Sequence, residues 1–186
     1  RSGVGYVRIY TDEHNQSVLF QSVPEAVVNC IHSDWEAELE KLLAWADAVA
    51  VGPGIGMEKQ KLDILTYVLE HADIPVILDA NALNLTARYR LSLSDYSVSL
   101  AVTPHLGEMA RLCSTDISNI ASDLISSAEE FARSQNVICV LKDAGTVVSN
   151  GNETYINTSG NSGMATAGSG DVLAGIFVGL TAQGMD

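Results

Sequence analysis

Short, continuously apolar runs alternate along this chain with amphipathic segments, and this alternation limits its possible folds more than any other feature. Apolar runs lie at residues 47–52, 74–80, 97–103 and 137–142, and a further strand is predicted at 4–11. Strands that are apolar along their whole length are typical of parallel sheets covered by helices on both faces. The sequence therefore predicts an α/β fold with a mostly parallel central sheet.

The segments between the strands carry the spacing of helices. Residues 34–46 and 57–72 repeat apolar side chains three or four positions apart, which predicts two amphipathic helices. Residues 118–135 are also predicted to be helical. A last helix is predicted from about Ser169 to Gln183, and its apolar composition indicates that it is buried.

One segment breaks the alternation. Two short runs at 146–149 and 153–158 flank the letters NGN, which predicts a small β-hairpin. The chain has 186 residues, enough for one domain with a substantial core, and we find no internal repeat or linker. Residues 1–186 are therefore predicted to form a single domain.

Charge and cysteine content restrict the function. Ten basic against 23 acidic residues give a net charge of −13, which argues against a nucleic-acid partner. No apolar run approaches the length of a membrane helix, and no signal peptide is visible, so we expect no membrane partner and a cytoplasmic location. The scattered Cys30, Cys113 and Cys139 are predicted to be buried free thiols in a reducing compartment.

The glycine-rich stretch "NTSGNSGMATAGSGD" precedes the last helix. The first amides of a helix have no intrahelical partner, so Gly168, Ser169 and Gly170 could offer N–H groups to an anion. Asp171 falls in the first turn, where the helix dipole favours its ionised form. A carboxylate beside an anion hole suits phosphoryl transfer, in which it positions a hydroxyl as a base. Alternatively, Asp171 is only an acid at a helix start.

Two further loops follow predicted strands. The "VGPGIG" segment at 51–56 could let backbone approach a ligand, or it could be a structural turn, and it matches neither a Walker loop nor GxGxxG. Lys142, in "LKDAGT", could neutralise a phosphate or could be a solvated strand end.

The segment "TPHLGEMARL" places His105 and Glu108 three residues apart. Two such side chains could hold a metal, although no third ligand is evident. The other interpretation is an ordinary helix start, with Thr103 as the cap and Pro104 at the first helical position.

Taken together and in this order, "VGPGIG", "VILDANALN", "TPHLGEMARL", "LKDAGT" and "GNSGMATAGSGDVLAG" resemble the ADP- or ATP-dependent NAD(P)H-hydrate dehydratases. These enzymes are a branch of the ribokinase-like superfamily. The resemblance implies a three-layer sandwich. It also implies a repair reaction, in which hydrated NADH or NADPH is phosphorylated on its ring hydroxyl by a nucleotide and then loses phosphate to regenerate the cofactor.

The resemblance also implies roles for individual residues. Asp171 would take the hydroxyl proton, and Gly168, Ser169 and Gly170 would form the anion hole. The hydrated dinucleotide would be contacted by Gly54, His105 and Asp171. The adenine nucleotide, ADP or ATP, would be held by Lys142, Asp143, Ala144, Gly145, Thr146 and Gly170. Mg²⁺ would neutralise the phosphates, with Glu108 as the nearest protein candidate to support it. A homo-oligomer is implied as well.

The chain departs from the family pattern in three places. We expect it to lack a segment before "RSGVG" and one or two helices after "AQGMD". It also has Asn81 where the family often carries a second acid, although Asp79 remains.

Two alternative functions stay open: a kinase of a small vitamin-precursor alcohol, of the hydroxymethylpyrimidine or hydroxyethylthiazole type, and a nucleotide-binding protein without catalysis. The choice between ADP and ATP, the choice between NADHX and NADPHX, and a fused epimerase domain are not decided by the sequence.

Overall fold

A computed structural model describes residues 2–185 of the chain. The strands are β1 (Arg8–Thr11), β2 (Val27–Cys30), β3 (Val49–Val51), β4 (Val76–Leu78), β5 (Leu100–Val102), β6 (Ile138–Leu141), β7 (Val147–Ser149) and β8 (Thr154–Ile156). The helices are α1 (Gln16–Ser22), α2 (Trp35–Trp45), α3 (Lys59–His71), α4 (Asn81–Tyr89), α5 (Leu106–Leu112), α6 (Ile117–Ser122), α7 (Leu124–Gln135) and α8 (Ser169–Thr181).

The central sheet has six strands in the order β3-β4-β5-β6-β7-β8. Strands β3 to β6 are mutually parallel, and β7 and β8 form the predicted antiparallel hairpin. Strands β1 and β2 pair in parallel in a separate two-stranded sheet. The buried Lys61 at the start of α3 pairs with Asp12, which follows β1, and this ion pair attaches the small sheet to the helical layer.

Helices cover both faces of the sheet. Leu100 and Val102 of β5 join the main hydrophobic cluster, which includes apolar side chains of α2, α3, α4, α5 and α7. Side chains alternate along a strand, so the intervening Ala101 points to the opposite face. On that face Ala101 and Ile77 line a groove of about 510 Å³ that is bordered by Phe177 of α8. The predicted α/β architecture with two helical layers is therefore confirmed.

Helix α8 is less buried than its composition predicts. Only Ala174 and Gly179 are buried, whereas Val172 is 62% exposed and Ile176 is 43% exposed. The helix is apolar on all sides, and within residues 2–185 it packs by one side against β3. The prediction of a buried helix is therefore wrong for its outer surface, because composition does not specify how many sides of a helix have a neighbour.

Two other predictions need correction. Residues 118–135 form two helices, because Asp123 leaves the helical conformation (φ −153°, ψ 87°) and its carboxylate caps α7 by accepting a 3.0 Å bond from the Ser126 N–H. Cys30 and Cys139 are buried as predicted, and burial raises the pKa of the Cys139 thiol to about 12. Cys113 is exposed, because it lies at the C-terminal cap of α5.

None of the helices in the described part of the chain has the length and apolar character needed to cross a membrane.

Candidate active site

The loops that follow the four parallel strands lie side by side at one edge of the sheet. Backbone bonds continue past the strand ends: the Asp79 N–H donates to the Val51 carbonyl at 3.1 Å, and the Lys142 N–H donates to the Pro104 carbonyl at 2.8 Å. His105 and Lys142 also pair as a parallel bridge. In open α/β sheets this carboxyl edge is where ligands bind. The structure therefore brings His105 and Lys142 together at the edge where the sequence predicts them.

A buried ion pair crosses this edge. The Lys142 ammonium donates to Asp79 Oδ1 at 2.9 Å, and the side chains are 21% and 4% exposed, respectively. Asp79 follows β4 and Lys142 follows β6, so the pair spans the end of β5 between them. Lys142 is thus a held, mostly buried cation at the candidate site, not a freely solvated strand end.

The first turn of α8 lies beside this cation. A methyl group added at Gly170 would lie 3.8 Å from the Lys142 ammonium nitrogen, which is an ordinary packing distance. Gly168 is the N-terminal cap residue with a left-handed φ of 84°, and Asp171 is the third helical residue and is exposed. The helix start and the Lys142 cation therefore adjoin each other, an arrangement that suits an anionic ligand.

The amides at this helix start are not equivalent. The Ser169 N–H donates to the Thr166 carbonyl at 3.2 Å, so in this conformation it is already engaged. The N–H groups of Gly168, Gly170 and Asp171 have no backbone acceptor within the described chain. Of the predicted anion hole, Gly168 and Gly170 therefore have available amides in this structure, and the amide of Asp171 is available as well.

His105 and Glu108 build the start of α5. His105 is the cap residue: its Nδ1 accepts from the Gly107 N–H at 3.0 Å and from the Glu108 N–H at 3.4 Å, and Glu108 Oε2 accepts from the His105 N–H at 2.9 Å. This reciprocal pair is a capping box. The helix thus begins at Leu106, and the prediction of Thr103 as cap and Pro104 as first helical residue is wrong. Both residues instead continue β5, where the Thr103 N–H donates to the Leu78 carbonyl at 3.1 Å.

The capping bonds leave part of the histidine available. Because Nδ1 accepts a backbone N–H, the neutral ring carries its proton on Nε2. The His105 side chain is 54% exposed, whereas Glu108 is 7% exposed and its other carboxylate oxygen lies 3.4 Å from that Nε2. His105 can therefore donate from Nε2 to a ligand, while the Glu108 carboxylate is committed to the helix start.

The carboxylates at the site fit one kind of magnesium binding. No group of three or more His, Cys, Asp or Glu side chains that could hold a metal is found among residues 2–185. Mg²⁺ is commonly held by one or two carboxylates together with substrate phosphates and water. Glu108, the predicted candidate, is committed to the start of α5 and could support such an ion only through water, so most of the ligands would be phosphate and water oxygens. The residues thus fit an ion brought by a nucleotide.

The glycines of the β3–α3 loop have separate tasks. A side chain at Gly52, where φ is 133°, would place its Cβ 1.7 Å from the Asp79 carbonyl oxygen, so Gly52 is required for packing. Gly54 has a φ of 67° and open space where a side chain would lie. The structure therefore supports both interpretations of "VGPGIG": a structural turn at Gly52 and an accessible backbone at Gly54.

Gly52→Ala is expected to destabilise the fold by about 3 kcal/mol, because the new methyl group overlaps the Asp79 carbonyl and the backbone conformation is strained. Gly54→Ala is the matched control, since it carries only the backbone penalty of about 1 kcal/mol. Urea denaturation of both variants measures the difference. Equal stabilities would contradict the close approach of the two loops.

The predicted nucleotide loop connects β6 to β7. Asp143 and Ala144 are exposed, Gly145 is half-buried, and the Thr146 hydroxyl donates to the Asp143 carbonyl at 3.4 Å. Lys142 at the start of this loop is the member that the structure places beside Gly170. Sequence reasoning did not assign a role to Asp79. The available signal was an acidic residue directly after a buried strand at the ligand edge.

Comparisons with known proteins decide the family. A family model described as NAD(P)H-hydrate dehydratase matches residues 1–186, the whole chain. The chain belongs to this family. A bifunctional NAD(P)H-hydrate repair enzyme of Moorella thermoacetica is 38% identical over 169 residues, which cover 90% of this chain and 32% of that protein. The chain thus spans about a third of the length of that curated relative.

Solved structures agree with this membership. A ribokinase-like superfamily protein from Enterococcus faecalis superposes with a TM-score of 0.85 at 31% identity, covering 98% of this chain and 63% of that one. The ADP/ATP-dependent NAD(P)H-hydrate dehydratase of Bacillus subtilis, co-crystallised with ATP and Mg²⁺, superposes with a TM-score of 0.80 at 28% identity, covering 97% and 65%. The ribokinase-like fold predicted for this dehydratase-family chain is therefore confirmed.

Proposed function

We propose that the protein catalyses nucleotide-dependent dehydration of hydrated NADH or NADPH. The observation that carries this proposal is the first turn of α8, where Gly170 adjoins the Lys142 cation and the exposed Asp171 follows it, in a chain of this family. The match of the whole chain to the dehydratase family favours this reaction over phosphorylation of a small vitamin-precursor alcohol.

Phosphoryl transfer comes first. Asp171 accepts the proton of the substrate's ring hydroxyl as the oxygen attacks the terminal phosphorus of the nucleotide. The amides of Gly170 and Asp171 and the Lys142 ammonium stabilise the negative charge on the moving phosphoryl group. This step leaves a phosphate ester on the ring and a nucleotide shortened by one phosphate.

Elimination completes the reaction. The ring carbon–oxygen bond breaks, phosphate leaves with the bonding electron pair, and a proton is lost from the neighbouring ring carbon as the double bond forms. Hydrated NADH and ATP are thereby converted to NADH, ADP and inorganic phosphate. Phosphate is a far better leaving group than hydroxide, which is why a kinase-like site can serve a dehydration.

Binding of the two substrates is divided between the loops. Gly54, whose backbone is open, and His105, through its Nε2 proton, would contact the hydrated dinucleotide. The adenine nucleotide would lie along Lys142, Asp143, Ala144, Gly145 and Thr146, with its phosphates directed to Gly170. Bound Mg²⁺ would supply charge neutralisation at the phosphates. The cytoplasmic location and the homo-oligomeric state stay predictions of the sequence.

Following the fate of the terminal phosphate tests this function against its alternatives. Full-length protein is incubated with Mg²⁺ and terminally labelled ATP or ADP, together with hydrated NADH or with a hydroxyethylthiazole alcohol. We expect inorganic phosphate to be released only with hydrated NADH, in equal amount to the NADH formed. Accumulation of a phosphorylated alcohol would establish the kinase, and nucleotide binding without either product would establish a non-catalytic binding protein.

A further inference from the structure

We infer that Asp79 is a positioning residue that holds the Lys142 ammonium in place for the nucleotide phosphates. The inference deepens the proposed function and rests on it. Asp79 lies outside the residues assigned to either substrate, and its carboxylate acts through Lys142.

The burial of Asp79 makes its pairing strong. The carboxylate is 4% exposed, and its bond to the Lys142 ammonium is 2.9 Å long. A buried carboxylate without a partner is unfavourable, so the ammonium is strongly held at this position. An ammonium has three N–H groups, and the bond to Asp79 Oδ1 uses one of them. The Lys142 side chain remains 21% exposed, so a ligand at the carboxyl edge of the sheet can reach it.

The backbone around Asp79 is held from both sides. Its N–H donates to the Val51 carbonyl, and its carbonyl accepts from the Ala82 N–H, each at 3.1 Å. Gly52 packs directly on the same carbonyl. The next residue, Ala80, adopts φ 49° and ψ −118°, a conformation that residues other than glycine rarely take. Such strain persists where surrounding contacts over-determine the backbone, and it clusters at functional sites.

The location of Lys142 tells which substrate this arrangement serves. The ammonium lies between Asp79 and the first turn of α8, 3.8 Å from where a Gly170 side chain would begin. A lysine side chain is flexible, and fixing it before the ligand arrives removes part of the entropy cost of binding. Asp79 should therefore influence the binding of the nucleotide phosphates and leave the hydrated dinucleotide unaffected.

The test uses Asp79→Asn, which keeps the shape of the side chain and removes its charge. Dissociation constants for ATP with Mg²⁺ and for hydrated NADH are measured by calorimetry, which does not require turnover. We expect the ATP constant to rise about tenfold, the loss typical of a hydrogen bond between charged groups, with the hydrated NADH constant unchanged. Asp73→Asn is the control, because Asp73 is an exposed acid at the other end of β4 and should change neither constant.

A double variant separates positioning from a merely structural role. If Asp79 acts through Lys142, then Asp79→Asn added to Lys142→Met causes no further loss of ATP affinity. This pair also covers the case in which Asp79→Asn alone does not fold, because the double variant leaves no unpaired buried charge.

Three results would overturn the inference: unchanged ATP affinity in Asp79→Asn, equal losses for both ligands, or a further loss in the double variant. If the unaltered protein binds neither ATP nor ADP, the inference and the proposed function are both wrong. If the unaltered protein binds ATP and forms NADH, and the Asp79→Asn variant binds ATP equally well, only the inference is wrong.

Discussion

Asp171→Asn is expected to lower kcat by about 10²- to 10⁴-fold, the contribution typical of a positioned general base. Asparagine has nearly the same shape but cannot accept the proton of the ring hydroxyl. The ATP dissociation constant should remain unchanged, because the amides of the helix start and the Lys142 ammonium are retained. Stopped-time assays of NADH formation, together with calorimetric titration of ATP, measure the two quantities separately.

A second helix-start acid provides the control for this variant. Asp116 is the exposed cap residue of α6, and its carboxylate makes no capping bond. Asp116→Asn removes the same charge from a comparable position and should keep full turnover. The assignment of Asp171 as the base fails if Asp171→Asn is active, or if it loses nucleotide affinity and turnover in parallel.

Gly168→Ala is expected to reduce kcat/KM by about 10²- to 10³-fold, because a shifted helix start would misplace the amides, with an effect like that of losing one donor of an anion hole. Gly168 caps α8 with a φ of 84°, a conformation that costs an alanine about 1–2 kcal/mol. Apart from the adjacent residues of the chain, no atom of residues 2–185 lies within 4 Å of the added methyl group, so a steric clash does not contribute. The loss would arise from a shifted helix start and from the methyl group in space open to a ligand.

Gly175→Ala is the matched control within the same helix. Gly175 also has no neighbour within 4 Å of an added methyl group, but its φ is not positive. Alanine in a helix interior is favoured over glycine by roughly 0.5–1 kcal/mol, so this variant should melt at a higher temperature and keep its activity. Full activity in Gly168→Ala, with a melting temperature close to that of the unaltered protein, would contradict the role of the cap in anion binding.

The sequence predicted the sheet well because its strands are short and apolar throughout. It missed β2 and the seven-residue helix α1, in which no residue is buried. It also missed α4, because that helix begins directly after the unusual turn at Ala80, where φ is 49°. Local preference would not place a helix start after alanine in that conformation. Contacts with Gly52 and α3 supply what the local sequence does not.

The candidate site was likewise predictable from the sequence only in part. The loops around Gly54, His105 and Lys142 could be predicted to share one edge, because the carboxyl ends of parallel strands coincide. The pairing of Asp79 with Lys142 could not, because the two residues are 63 positions apart and meet across a third strand. Likewise, the sequence places the Ser169 amide at a helix start. It does not reveal that the Thr166 carbonyl accepts a hydrogen bond from this amide.

The most direct test of the proposed dehydratase function is the absorbance at 340 nm when full-length protein is added to purified hydrated NADH with Mg²⁺ and either ADP or ATP. A rise that requires a nucleotide is the predicted result, and its dependence on ADP or ATP identifies the phosphate donor. No rise with either nucleotide, under conditions in which calorimetry shows the nucleotide bound, would contradict the proposed dehydration.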